Sequence, residues 1–272
     1  MVLAHAALLG VIQGLTEFLP ISSTAHLVLA ERLFAADAAL FGQTFDVACH
    51  LGTLAAVVVY FRPDLVAMAR SLPRLGTLFG PRPDPAGWTA ALIVLGTVPA
   101  VVVGLAFGQA IEEGLRTPPA VAAALAGVAL IFLAVERWGS PRRAGASLGL
   151  ADAALIGCAQ ACALVPGVSR SGATIAAGMA LGLRRADAAR FGFLLGIPAI
   201  LAAAARQGLP LVKHGLPPGE AQIFVVGIVT SGIVGYFAVS LLLRFLTRHS
   251  LRVFAWYRLV LASAVVLWSF PG

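Results

Sequence analysis

"QGLTEFLPISSTAH", residues Gln13 to His26, sets an amide, a carboxylate, hydroxyls and an imidazole inside a strongly apolar region. A second interruption, "PGVSRSGAT", runs from Pro166 to Thr174 and carries an arginine among hydroxyls. Each lies at the centre of a pair of short apolar runs, 2–19 with 21–34 and 150–165 with 173–183. Proline ends a helix and small polar residues favour turns. Each pair therefore predicts a short helix, a turn and a return to the same side of a membrane. Such re-entrant hairpins are tolerated where they face protein or a wet cavity instead of lipid.

The membrane follows from composition. Of 272 residues, 60% are hydrophobic and 11% charged, against about 25% charged in an ordinary soluble domain; the mean hydropathy is +0.93. At about 20 apolar residues per span there is room for about six to eight crossings. The spans must be helices, because backbone polar groups in lipid have to be satisfied within the segment. Runs at 88–110, 119–135, 222–243 and 253–270 are long enough to cross, and those at 45–61 and 191–205 are short but sufficient. The expected fold is an all-α polytopic protein with no separate soluble domain, residues 1–272 forming one integral membrane unit.

The net charge of +7 would suggest nucleic acid in a soluble protein. Here the basic residues sit between apolar segments, where they act as a topology signal. No nucleic-acid partner is expected, and phosphate-bearing lipid is compatible. Cys49, Cys158 and Cys162 are odd in number, lie in apolar stretches and lack metal-site spacing, so they are expected to be packing residues. The opening "MVLAHAALLGVIQGLTEF" has no basic n-region, so a removable signal peptide is not expected.

The second half of the chain repeats the first in order. "GVIQGLTEFLPISST" from Gly10 aligns with "GCAQACALVPGVSRSGAT" from Gly157, so that Gln13 meets Gln160 and Pro20 lies near Pro166. "FDVACHLGTLAAVVVYF" then meets "FGFLLGIPAILAAAA", and two long apolar runs follow in each half. A duplicated unit explains this economically, with repeats at approximately 1–138 and 150–272. Each half is a hairpin plus three crossings; an odd number of crossings makes the two repeats inverted in topology.

The basic residues give an independent test. This topology puts Arg62, Arg70, Arg74, Arg82, Arg137, Arg142, Arg143, Arg184, Arg185, Arg190, Arg244, Arg248 and Arg252 on one side, and Arg32, Arg116, Arg206 and Lys213 on the other. By the positive-inside rule the first group is cytoplasmic. The first hairpin then enters from outside and the second from the cytoplasm, and their tips can meet near the middle of the membrane. The linker from Arg62 to Trp88 reads as a cytoplasmic loop, and "GSPRRAGASLG" from Gly139 as the connector between halves.

Gln13 and Glu17 share a helix face, so their oxygens can hold a divalent cation that keeps several waters; helix-to-helix hydrogen bonding is the structural alternative. Pro20 ends one helix, and Ser22 or Ser23 can cap the next. His26, three residues beyond Ser23, can serve as its base, attack phosphorus itself or protonate a leaving group. Arg170 lies beside hydroxyls and a helix N-terminus, an arrangement suited to an anion; the competing partner is Glu17. Together these groups suit phosphoryl transfer, which needs charge neutralisation and an in-line nucleophile, on a substrate that reaches into the membrane. "GVSRS" is not the hydrolase elbow G-x-S-x-G. A transporter or flippase remains the main rival, since inverted repeats with broken helices are a transporter signature. An intramembrane protease would leave Arg170 little to do. The GxxxG at Gly178 and Gly182 leaves open a homodimer or close packing within one chain.

Both motifs resemble those of the BacA-type undecaprenyl-pyrophosphate phosphatases, the bacitracin resistance proteins, and the likeness covers essentially the whole chain, including "HLGTLAAVVVYF" and "FLLGIPAI". The family's paired Glu or Gln and Glu fall on Gln13 and Glu17. Its serine pair and histidine fall on Ser22, Ser23 and His26, and its second motif on Pro166, Gly167, Ser169, Arg170, Ser171, Gly172 and Thr174. The resemblance implies hydrolysis of undecaprenyl pyrophosphate to undecaprenyl phosphate and inorganic phosphate, recycling the carrier lipid of the bacterial cell wall and conferring bacitracin resistance. It also implies a divalent cation, Mg²⁺ or Ca²⁺, on Glu17 and Gln13, location in the bacterial cytoplasmic membrane, and a site open to the periplasmic side. Glu17, Ser23, His26 and Arg170 are then the expected catalytic residues, and Ser22, Ser169, Arg170, Ser171, Gly172 and Thr174 the expected substrate contacts. Gln13 lacks the charge of a glutamate, which puts more of the cation's affinity on Glu17. Gly192 stands where a serine is expected in many relatives.

Overall fold

In the computed structural model, residues 2–33, 41–73, 84–139, 142–214 and 220–269 are described. They form the helices α1 Val2–Phe18, α2 Ser23–Leu33, α3 Gln43–Tyr60, α4 Arg62–Ser71, α5 Pro85–Leu115, α6 Pro118–Trp138, α7 Leu150–Cys162, α8 Arg170–Ala180, α9 Arg185–His214, α10 Ala221–Leu246 and α11 Arg252–Ser269. No strand occurs among the described residues beyond an isolated bridge between Arg143 and Leu183. The chain is an all-α polytopic membrane protein. Five helices are long and apolar enough to cross a membrane, and α3 with α4, bent by 72°, raises the number to six.

The helix ends follow local chemistry. Asp84 caps α5 by accepting from the Ala86 N–H at 3.3 Å, with Pro85 in the first turn, where a missing N–H costs nothing. Pro118 opens α6 in the same way. One expectation needs correcting. The segment from Arg62 is not a loop throughout: α4 occupies Arg62–Ser71, with proline and Asp64 in its first turn and Arg70 in its last, a distribution that suits the helix dipole. Residues 74–83, with Arg74 and Arg82, lie outside the described residues, as do the side chains of Arg32 and Lys213.

Helices α1, α2, α7 and α8 have 17, 11, 13 and 11 residues, short of the roughly 20 that a span needs. In each pair the break falls at the proline-containing motif, and the two helices pack on one another. Each hairpin also packs on the opposite half of the chain. α1 lies on α10, where a Cβ at Gly14 would sit 2.8 Å from the Ser231 carbonyl oxygen; α7 lies on α5, where a Cβ at Gly157 would sit 2.8 Å from the Gly96 Cα. Gly10, which the alignment matches to Gly157, meets Gly227 and Thr230 of α10. Valine at position 157 should therefore push α7 off α5 and cost about 1–3 kcal/mol. A thermal unfolding midpoint in detergent equal to that of the parent would contradict the contact.

Ion pairs gather one set of helix ends. Arg190 of α9 meets Asp64 of α4, and Arg185 meets Glu136 near the end of α6. Glu136 also accepts from the Leu251 N–H at 2.7 Å, just before α11. The connector joins this end through Arg143, whose guanidinium donates to Asp152 at 2.7 Å and to the Leu181 carbonyl at 2.8 Å, pinning both feet of the second hairpin. The foot of the first hairpin lies elsewhere: the His5 ring of α1 meets Phe41, just ahead of α3, at 6.2 Å. At that end Asp46 of α3 also pairs with Arg116, beyond α5, at 4.0 Å.

The main core joins both halves through Phe18, Phe61, Phe132, Ile156, Ile175, Leu195 and Val239. Cys49 is buried as expected, but Cys158 and Cys162 are exposed. They are four residues apart on the α7 face turned away from the core, so they do not pack as the sequence suggested. The GxxxG is used within the chain: a Cβ at Gly178 would meet Ala188 of α9 at 2.8 Å, and Gly182 adopts φ +88° just beyond α8.

Candidate active site

The two hairpin tips share one local geometry. Ser22 and Ser169 are the only described residues other than glycine with positive φ, each at 73°, a region that L-residues avoid and that is frequently occupied at functional sites. The Ser22 hydroxyl accepts from the Ala25 N–H at 3.5 Å, and the Ser169 hydroxyl from the Gly172 N–H at 3.2 Å. Both are helix caps. The next residue in each case, Ser23 or Arg170, begins a helix and points at the same carboxylate.

That carboxylate is Glu17, near the end of α1, with 4% of its side chain exposed. Its Oε1 pairs with Arg170 Nη2. Its Oε2 accepts from Ser23 Oγ at 2.8 Å and from Gln13 Nε2 at 2.9 Å, and faces His50 Nε2 at 3.4 Å. Four helices thus converge on one acid. The Ser171 hydroxyl adds a direct tie between the tips by donating to the Leu19 carbonyl at 3.3 Å. Beside the cluster lies a cavity of about 220 Å³, with Glu17, Ser22, Ser23, Thr24, His50, Gln160, Ser169 and Arg170 on its polar side. Its other wall is apolar, built largely by Ala100 of α5 and Ala199, Ile200, Ala203 and Ala204 of α9.

The sequence matches the family described as bacitracin resistance protein BacA over residues 6–264. The chain belongs to the BacA family. It is 46% identical over 263 residues to an undecaprenyl-diphosphatase of Rubrobacter xylanophilus, covering 97% of each chain. It is 45% identical over 265 residues to that of Trichlorobacter lovleyi, covering 97% of this chain and 96% of the relative. With the enzyme of Geobacter metallireducens the identity is 44% over 267 residues and 98% of each chain.

Not every motif residue of the family faces the cavity. Glu17, Ser22, Ser23, Ser169 and Arg170 do; Gln13, His26, Ser171, Gly172 and Thr174 are not among its lining. Thr174 is fully buried, and its hydroxyl donates to the Arg170 carbonyl at 3.0 Å. A Cβ at Gly192 would meet the Thr174 Cβ at 3.0 Å, so glycine there gives that threonine its space. Gly172 faces Phe132 and Ser169. Helical periodicity turns Ser171 and Gly172 away from the face of Arg170, whereas Thr174, one turn further along that face, is covered by Gly192 of α9. Ser171, Gly172 and Thr174 hold the turn that carries Arg170.

The expected pairing of Ser23 with His26 is not formed. His26 Nδ1 lies 2.7 Å from the Ser22 carbonyl and Nε2 lies 2.6 Å from the Tyr257 hydroxyl of α11, with the two rings stacked at 5.6 Å. Both ring nitrogens are therefore occupied, and the Ser23 hydroxyl donates its hydrogen bond to Glu17 instead. His50, absent from the sequence-based site, takes the position beside the acid. Its signal was present as an imidazole in an apolar run, the same argument that singled out Glu17.

Arg258 was also missed. It is fully buried in α11, and its guanidinium donates to the carbonyls of Pro20 at 3.2 Å, Gly167 at 2.9 Å and Val168 at 3.2 Å, as well as to Ala124 and Leu125 of α6. It lies over the Phe132 ring at 5.6 Å. One side chain therefore ties both hairpin turns to α6. An arginine inside the run 253–270 was its legible trace.

No group of three His, Cys, Asp or Glu side chains able to hold a metal ion occurs among the described residues. The available donors are one carboxylate, Glu17, the His50 Nε2 at 3.4 Å from it, and an amide oxygen, Gln13 Oε1, that is buried without a partner. This set fits a cation that takes its remaining ligands from phosphate and water, as Mg²⁺ commonly does.

Proposed function

We propose that the chain hydrolyses undecaprenyl pyrophosphate to undecaprenyl phosphate and inorganic phosphate. The observation that carries this reading is the Glu17–Arg170 pair where two hydroxyl-bearing hairpin tips meet, beside a cavity with one polar and one apolar wall. An arginine with adjacent hydroxyls suits the diphosphate, and the α5–α9 wall suits the start of an isoprenoid tail that continues into lipid. The protein's relatives carry the name of this activity over nearly their full length.

When the diphosphate enters, Arg170 transfers its hydrogen bonds from Glu17 to phosphate oxygens, which releases one carboxylate oxygen. Ser23 is the favoured nucleophile, because its hydroxyl already donates to Glu17 at 2.8 Å. Attack forms the Ser23 Oγ–P bond and breaks the bridging P–O bond, the proton passes to Glu17 Oε2, and undecaprenyl phosphate departs. Glu17 passes that proton to the departing phosphate; water then attacks the phosphoserine phosphorus and gives a proton to Glu17, which returns it to Ser23 Oγ as the P–Oγ bond breaks and inorganic phosphate leaves. His26 acts on this step by fixing the Ser22 carbonyl next to Ser23. A divalent cation, Mg²⁺ or Ca²⁺, bound by Glu17 and Gln13 would neutralise charge on the phosphate oxygens.

We also read the two halves as inverted repeats. The two hairpins have their feet among different sets of helix ends, and each packs on the other half of the chain. The cavity wall at Val47 and at Ala203–Ala204 lies toward the start of α3 and the later part of α9. We read that arginine-poor end, by the positive-inside rule, as the periplasmic side of a bacterial cytoplasmic membrane, from which the cavity would be reached. Bacitracin resistance follows if the drug's pyrophosphate lipid is consumed there.

The deciding experiment measures phosphate release from a polyprenyl diphosphate in detergent, with and without EDTA, and locates any phosphorylated residue by mass spectrometry. Hydrolysis should occur, fall at least tenfold on chelation and mark Ser23. Lipid movement across vesicles without phosphate release would establish the flippase reading instead.

A further inference from the structure

We propose that Gln160 is a further substrate-binding residue, whose side-chain amide hydrogen-bonds the diphosphate group in the central cavity. The proposal rests on the diphosphate reading of that cavity. Gln160 lines the cavity with Glu17, Ser23, His50 and Arg170, yet it is only 3% exposed. Neither its Oε1 nor its Nε2 has a hydrogen-bond partner. Buried amides are almost always paired, and one left with both ends open beside a cavity points to a ligand that completes it.

The placement is rigid. Gln160 stands in the last turn of α7, a helix pressed against α5 at Gly157 and Gly96. At the other end of α7 the Asp152 carboxylate accepts from the Gly149 N–H at 2.9 Å and from Arg143. The backbone that carries the amide is therefore held in place beside the cavity. Its sequence counterpart Gln13 makes a useful contrast: that Nε2 donates to Glu17, whereas Gln160 has no carboxylate within hydrogen-bonding reach. A neutral N–H₂ group adds donors for phosphate oxygens without adding charge that would bind the anionic products too firmly.

The test compares the purified parent with Gln160→Leu and Gln160→Asn. Inorganic pyrophosphate binding is measured by calorimetry, separately from turnover of a polyprenyl diphosphate. The expected result is a rise of about tenfold in both the pyrophosphate Kd and the substrate KM for the leucine variant, with kcat within about threefold. The asparagine variant, one methylene short but still an amide, should recover part of the loss and guards against a leucine variant that fails to fold. Unchanged pyrophosphate binding in both variants, in a parent that does bind it, overturns the assignment. A raised KM with unchanged pyrophosphate Kd also overturns it, because the contact would then concern the lipid tail. A parent that binds pyrophosphate but releases no phosphate rejects the hydrolase reading while leaving the Gln160 comparison readable.

Discussion

Arg170→Ala should lower phosphate release by about a thousandfold, while the purified protein keeps its helical content. Loss of one preorganised group that stabilises developing charge costs about 10²–10³ in rate, and Arg170 is the cation on the cavity's polar wall. The variant also leaves Glu17 buried with only Gln13, Ser23 and His50 around it, so an anionic substrate meets an opposing charge as well as losing its partner. Arg170→Lys separates the contributions. Lysine restores the charge but not the planar pair of donors, and about a tenfold to hundredfold deficit should remain. The readout is kcat and KM for both variants against a polyprenyl diphosphate. Full phosphate release by Arg170→Ala would falsify the anion-binding role and leave Arg170 as a structural partner of Glu17.

Removing Arg258 should act through a different route. Arg258→Leu withdraws the donors from three turn carbonyls, Pro20, Gly167 and Val168, in a place that water does not readily reach. Charged hydrogen bonds of this kind are each worth about 1.5–3 kcal/mol, and stranded carbonyls add a desolvation cost. Destabilisation of about 3–5 kcal/mol is expected, with activity lost because the tips that carry Ser23 and Arg170 drift apart. Thermal unfolding in detergent reads the first effect and phosphate release the second. Arg258→Lys, with three donors on a point charge, should recover part of both. If Arg258→Leu melts with the parent and turns over normally, the tips are held together by other contacts.

The polar interruptions gave away the hairpins because proline and hydroxyls cannot continue an apolar crossing, and the six remaining spans were long enough to read from hydropathy alone. The aligned glycines Gly10 and Gly157 proved to be close helix contacts, but only with partners in the opposite half, which spacing along one helix cannot reveal. Glu17 and Arg170 stood out because ionised groups are rare in such surroundings, whereas their direct pairing depends on two turns far apart in the chain. His26 misled for a local reason. Three residues from Ser23 is a plausible reach on an ideal helix, but Tyr257 on α11 takes the ring first. α4 was hidden by its polar, arginine-bearing sequence, which resembles a loop until its proline start is weighed.

The closed Glu17–Arg170 contact also sets what any phosphate-bearing lipid would have to displace. A singly charged phosphodiester offers the guanidinium little more than the internal carboxylate already does, so the exchange has small driving force. A terminal diphosphate brings more negative charge and more acceptor oxygens, enough to displace the resident acid. The resting protein thereby carries its own competitor, a threshold that favours the more highly charged headgroup.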